Sequence, residues 1–180
     1  MLGPRTLKTL YYSLIHCHLI YCIQVVTCGA QKPLQNIFKL QKKAIRIITG
    51  SKYNAHTAPL FKDNSILPYE DLAVYFKLLM LFDYKSGYLP KSFDGTWSMN
   101  TERNYNISLR NDNDFHVPTV RFSFIQNHPW ISFAKYWNDM EKFITSIQTR
   151  RLFKDNLLSY FFSKLDYECS LLYCHVCSSK

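Results

Sequence analysis

The residues able to do chemistry gather at two places in this 180-residue chain. Near the C-terminus, Cys169, Cys174, His175 and Cys177 lie within nine residues. Cys174-x-x-Cys177 has the spacing of half a zinc knuckle, and Cys169 offers a third thiolate. Tetrahedral zinc needs a fourth ligand, and His175, adjacent to Cys174, is awkwardly placed for the same ion. Cys169, Cys174 and Cys177 are thus the candidate metal ligands, set against the plainer reading of free thiols on a chain end. The second place is Pro33 to Gly50, PLQNIFKLQKKAIRIITG. There Lys39, Lys42, Lys43 and Arg46 recur at helical spacing. With Lys52 just beyond, they form a ridge of cations suited to nucleic-acid phosphates.

Signatures of catalysis are missing. Five glycines in the whole chain leave no glycine-rich phosphate loop. No adjacent aspartate pair exists to hold two metal ions for phosphoryl transfer. Phe82-Asp83-Tyr84 lacks a second carboxylate, and neither a nucleophile elbow nor an HExxH pattern occurs. Alone, the chain reads as non-catalytic and, apart from zinc at the tail, without a cofactor.

Charge is segregated. The net charge is +9, and nine Lys and Arg residues precede the first acid, Asp63. Beyond that point basic and acidic residues cancel. A one-sign field of this kind attracts polyanions, with nucleic acid the usual one and an acidic membrane surface the competitor. No apolar run reaches the ~20 residues of a membrane span; Leu14 to Val26 is broken by His16, His18 and Gln24. Nor does the N-terminus read as a signal peptide. An intracellular location, cytoplasmic or nuclear, is expected. Cys17, Cys22 and Cys28 then read as reduced core thiols.

These residues must be positioned by helices. In Pro33–Gly50, Leu34, Ile37, Phe38, Ala44, Ile45 and Ile48 form the apolar stripe, and Leu40 with Ile47 a second small patch. Gln41 sits in the middle of the stripe, where it needs a hydrogen-bond partner. Thr6 to Cys22 reads as a helix apolar nearly all round, hence buried, with Thr6 as N-cap. Asn54–Phe61 reads as a short helix. Pro68 to Ser86 reads as a long one, stopped by Gly87 and serving as the main packing partner of the basic helix. Asp94 to Asp114 is a polar surface excursion. Phe115–Phe124 is β-prone, though Pro118 confines it to an edge strand. Pro129–Met140 is dense in aromatics and packs back on the core, and Glu141 to Ser163 is a last helix. The expected fold is mainly α, a helical bundle of four to six helices with a long irregular, partly β excursion in the second half. Three regions follow: a helical region 1–93, an aromatic-rich excursion 94–140, and a C-terminal helix and tail 141–180.

The blocks LKTLYYSLIHCHLIYCI, LQKKAIRIITGSKYNAHTAPLF, ILPYEDLAVYFKLLMLFDYKSGYLPKSF, LRNDNDFHVP and HPWISFAKYWNDM occur in this order. Together they resemble the region after the polymerase palm in reverse transcriptases of non-LTR (LINE-type, jockey-like) retrotransposons. The tail YECSLLYCHVC resembles the cysteine pattern that closes many such proteins. The likeness runs from about Thr6 to Cys177, and LQKKAIRIITG is its most specific part. It implies a fragment of an RNA-directed DNA polymerase that copies element RNA at a nicked chromosomal target. The palm, with its paired metal-binding aspartates and magnesium, and the endonuclease that makes the nick, are not found in these residues. What remains resembles the thumb and the segment behind it. The implied partners are an RNA/DNA duplex or the element RNA, gripped by its backbone without sequence reading, and a reverse transcriptase palm domain. No membrane partner is expected.

The sequence departs from the family at several points. Cys17 stands where proline is frequent, Val25-Val26-Thr27 lacks a usual tryptophan, and Ala134 replaces a common proline. Such drift suits a degraded element copy. Two further readings stay open: a non-catalytic protein-interaction module or relic of a mobile element, and a basic helix lying on a membrane surface.

Overall fold

A computed structural model describes residues 2–29, 31–102 and 114–165. The chain is mainly helical. Pro4 needs no backbone donor at a first helical position, and it opens α1, Pro4–Leu10. The helix continues through a π-helical stretch, Tyr11–His16, into α2, Cys17–Ile20. A single turn, α3 (Ile23–Val26), precedes the long α4 (Gln31–Thr49). Then come α5 (Ala58–Asp63) and α6 (Tyr69–Lys85). After 3₁₀ turns at Lys91–Phe93 and Asn100–Glu102, the chain forms α7 (Ser123–Gln126), α8 (Pro129–Asn138), α9 (Lys142–Thr145) and α10 (Arg150–Lys164).

The chain divides into two units. One comprises Met1–Ile23, Ala30–Ala73 and Leu158–Lys180, the other Gln24–Gly29 and Val74–Leu157. In the first, Tyr11, Ile45, Ile48, Leu60, Phe61 and Ile66 form a buried cluster, flanked by Leu7, Leu19, Phe38 and Ala44. Phe38 of α4 stacks on Phe61 of α5 with centroids 6.3 Å apart. α4 therefore packs on α1 and α5, and not chiefly on α6 as its pattern predicts. Most of α6, from Val74 onward, belongs to the second unit.

Two glycines end helices as expected. Gly50 has φ +62° and Gly87 φ +71°, a region only glycine enters without strain. At the first, Ser51 N–H donates to Arg46 O and Gly50 N–H to Ile47 O. At the second, Tyr88 N–H donates to Asp83 O and Gly87 N–H to Tyr84 O. Both are Schellman motifs, which satisfy carbonyls that a helix end leaves unpaired.

The second unit is built on a run of rings. Phe133 stacks on Trp97, Trp97 meets Tyr84 edge-on at 5.0 Å, and Tyr84 meets Phe115. Phe115 meets Trp137, Trp137 stacks on Phe153, and Phe153 on Phe82 at 4.5 Å. Such pairs add to the stabilisation from burial alone. The hydroxyl of Tyr84 donates to Trp97 O at 2.5 Å, and Trp97 Nε1 donates to Trp130 O at 2.9 Å.

Several expectations need correction. The partly β character of the excursion is not seen: among the described residues there is no strand, only an isolated antiparallel bridge between Met99 and Phe115. A side chain does the work of a neighbouring strand. Asn138 Oδ1 accepts from the Phe115 N–H at 2.9 Å, and Asn138 Nδ2 donates to Phe115 O at 2.8 Å. Residues 103–113 of the excursion lie outside the described residues. The aromatic-dense segment Pro129–Met140 is largely helical, as α8. Glu141–Ser163 is not one helix but α9 and α10. Between them Ser146 Oγ donates to Phe143 O and Thr145 Oγ1 to Lys142 O, hydroxyl bonds that compete with helix continuation. The short helix expected at Asn54–Phe61 begins later, at Ala58. The first helix is not buried all round: Leu10, Leu14 and Ile15 are exposed, and Tyr11 is its buried anchor. Cys17 and Cys22 are exposed and Cys28 half-buried, so none is a core thiol.

Candidate nucleic-acid interface

α4 buries Leu34, Gln41, Ile45 and Ile48 on one side. The opposite side carries the cations, as amphipathic spacing requires. The structure separates the five predicted contact residues into two kinds. Lys39, Lys43 and Lys52 are exposed. Lys42 and Arg46 are half-buried and engaged with the fold. The ammonium of Lys42 lies over the Phe38 ring, 4.1 Å from its centroid, a cation–π contact. Arg46 Nε donates to Ala55 O at 3.0 Å and so ties the turn after α4 back onto the helix.

That turn carries Lys52 and Tyr53. It is closed by Ala55 N–H donating to Lys52 O at 3.0 Å. Tyr53 is 83% exposed. Arg46 thus holds in place the segment that presents an exposed cation and an exposed ring.

One residue escaped sequence reasoning. α4 starts at Gln31, ahead of Pro33, so exposed Lys32 belongs to the helix and stands seven residues before Lys39. Lys32, Lys39 and Lys43 make one exposed row spanning roughly 16 Å at the helical rise per residue. The signal was present in the seven-residue spacing. Reading Pro33 as the helix start hid it. Leu40 and Ile47 flank the row and are 63% and 67% exposed.

No acidic residue lies in the first 62 positions. Among the described residues none of Lys39, Lys42, Lys43, Arg46 and Lys52 forms an ion pair, whereas Lys142 pairs with Asp114 and Arg150 with Asp83 in the second unit. The ridge therefore keeps its positive charge uncompensated at short range. Of the tyrosines near it in sequence, Tyr11 is buried and cannot stack on a base, whereas Tyr21 and Tyr53 are free of the core. Burial pushes the Tyr11 phenol above its ordinary value, opposed by its hydrogen bond from Gln41.

The candidate zinc ligands Cys169, Cys174 and Cys177, with His175, lie outside the described residues. Among the described residues no group of three or more His, Cys, Asp or Glu side chains could hold a metal ion. No helix among them is long and apolar enough to cross a membrane. No family model matches this chain, nor does any curated protein or solved structure.

Proposed function

We propose that this chain is a thumb-like, non-catalytic piece of a reverse transcriptase of the non-LTR type, and that it binds RNA or DNA through the phosphate backbone. The observation that carries the reading is the exposed row Lys32, Lys39 and Lys43 on α4, extended by Lys52, with no acid in the first 62 residues to neutralise it. The resemblance of LQKKAIRIITG to the corresponding block of those polymerases supports the same conclusion. Phosphate contacts of this kind position a duplex and carry no sequence information.

The test is binding of the purified chain to an RNA–DNA hybrid across a salt series, beside the variant Lys39→Gln/Lys43→Gln/Lys52→Gln. Glutamine retains helix propensity. Three contacts correspond to a slope of log K against log salt of about −3. Expected is a slope of that order for the parent chain and near-complete loss of binding in the variant. No binding at low salt by the folded parent overturns the reading.

A second reading, a protein-interaction module, is favoured by exposed apolar side chains on the first helix, Leu10, Leu14 and Ile15, and by Tyr21 just past its end. Apolar docking is insensitive to salt, so the same series separates the two.

A further inference from the structure

Among the described residues no large apolar side chain is more exposed than Tyr53. Its ring meets no other ring there, and its hydroxyl bonds no protein group. A single exposed side chain is ordinary. Tyr53 differs in how firmly its backbone is held and in what stands beside it.

The turn that carries Tyr53 is tied on both sides of the ring. Before it, Ser51 N–H donates to Arg46 O at 3.0 Å, and the Thr49 and Ser51 hydroxyls are hydrogen-bonded at 2.8 Å. Across it, Ala55 N–H donates to Lys52 O at 3.0 Å. After it, Ala55 O accepts from Arg46 Nε at 3.0 Å, and Ala55 and Thr57 are buried. The backbone is thus anchored while the ring faces solvent. A tyrosine so presented loses little conformational entropy on binding, having only two side-chain torsions to fix.

The anchor also sets where the ring lies. Arg46 follows Lys43 by three residues and Lys39 by seven, so the turn hangs from the cationic side of α4. Ile47, one turn past Lys43, is exposed as well. The row Lys32, Lys39 and Lys43 leads to the helix end, about 9 Å beyond Lys43 along the axis. There the surface changes from ammonium groups alone to Lys52 with a ring beside it. Cations followed by a free aromatic face are the parts of a single-strand site, in which the backbone is tracked by charge and a base stacks on the ring. Inside a continuous duplex each base is already covered on both faces. An unpaired base is not, and every base has such a face, so the contact is indifferent to base identity.

We propose that Tyr53 is a stacking residue for an unpaired nucleobase, and that the chain therefore favours a duplex with a single-stranded extension over a blunt one. The inference rests on the phosphate-binding reading above, because the cations of α4 bring the strand to the turn.

The experiment compares three RNA–DNA hybrids of one sequence at a fixed salt concentration: blunt, with a short single-stranded DNA extension, and with the same extension made of abasic nucleotides. The abasic extension keeps the added phosphates and removes the bases. The full-length chain is expected to bind the extended hybrid about tenfold more tightly than either of the others. Tyr53→Ala should bind the blunt hybrid as the parent does and lose the gain, and Tyr53→Phe should keep it. Absence of any gain, an equal gain from the abasic extension, or a gain that survives in Tyr53→Ala overturns the inference and leaves phosphate binding standing. Failure of the folded parent to bind any of the three at low salt overturns the phosphate reading, and the inference with it.

Discussion

Gln41 Oε1 accepts a hydrogen bond from the backbone N–H of Tyr69 at 2.8 Å. Tyr69 is the first residue of α6, where backbone donors have no partner within their own helix. A side chain from α4, 28 residues earlier in sequence, thus closes the start of α6 in place of a local cap. Its amide nitrogen donates to Leu67 O at 2.9 Å and to the Tyr11 hydroxyl at 3.0 Å. The residue is 1% exposed, and this one amide joins three segments of the first unit.

Gln41→Leu should therefore cost more than the loss of one hydrogen bond. Orphaned buried groups cost about 1–3 kcal/mol each and partly relax, so the expected loss is about 2–4 kcal/mol. Tyr11→Phe removes a single bond and should cost about 1 kcal/mol. Urea unfolding of both singles and the double should give a coupling energy of about 1 kcal/mol. A coupling of zero would mean that Gln41 and Tyr11 act independently.

The cations of α4 should split by experiment as they split in the structure. Lys39→Gln/Lys43→Gln is expected to weaken nucleic-acid binding while leaving stability within about 0.5 kcal/mol. Arg46→Gln should lower stability by about 1 kcal/mol through loss of the bond to Ala55 O. It should also weaken binding indirectly, by freeing the turn that carries Lys52. Paired urea and binding titrations check this; a destabilised Lys39/Lys43 variant would contradict the assignment.

Asn138 should be needed in full. Asn138→Asp keeps an acceptor for the Phe115 N–H but offers no donor to Phe115 O, and Asn138→Ala keeps neither. Losses of about 1 and about 2 kcal/mol are expected, in that order. Near-ultraviolet circular dichroism should change with them, because Phe115 packs against Trp137. Equal losses would show that the bond from the Phe115 N–H to Asn138 Oδ1 contributes nothing.

His16 should make the first unit sensitive to acid. Its Nδ1 is buried with no hydrogen-bond partner, and burial holds the imidazole below its ordinary value of 6.5. Between the folded value and 6.5 the unfolded chain binds more protons, so stability rises with pH across that window. The penalty is complete below the folded value and absent above 6.5. His16→Phe, which keeps the ring contacts to Tyr11 and Tyr12, should lose less stability than the parent between about pH 7.5 and about pH 5. Parallel profiles would remove His16 from the account.

Much of the first unit was legible from spacing. The apolar stripe of α4, its stop at Gly50, the span of α6 and the need of Gln41 for a partner all follow from local pattern. The cation ridge was legible as well, but its division was not. Whether a lysine lies over a ring or an arginine reaches a carbonyl depends on neighbours distant in the fold. The first helix misled for a different reason. Leu10, Leu14 and Ile15 fit a core face only if the helix keeps 3.6 residues per turn throughout. The π-helical Tyr11–His16 is underwound, closing i to i+5. That rephases the helix, so that Leu7, Tyr11 and Leu19 face the same cluster while Leu14 turns outward. At Phe115–Phe124 a real β preference lost to one amide side chain from α8.

The three tryptophans of the chain, Trp97, Trp130 and Trp137, all belong to the second unit. Two of them, Trp97 and Trp137, sit in the ring run, while Trp130 is exposed. Intrinsic tryptophan emission is therefore a reporter of that unit alone, and the helices around Gln41 are silent in it. An emission melt that coincides with the helical signal at 222 nm would establish a single cooperative transition. An emission melt that departs from it would reveal two separable ones, without any label being introduced.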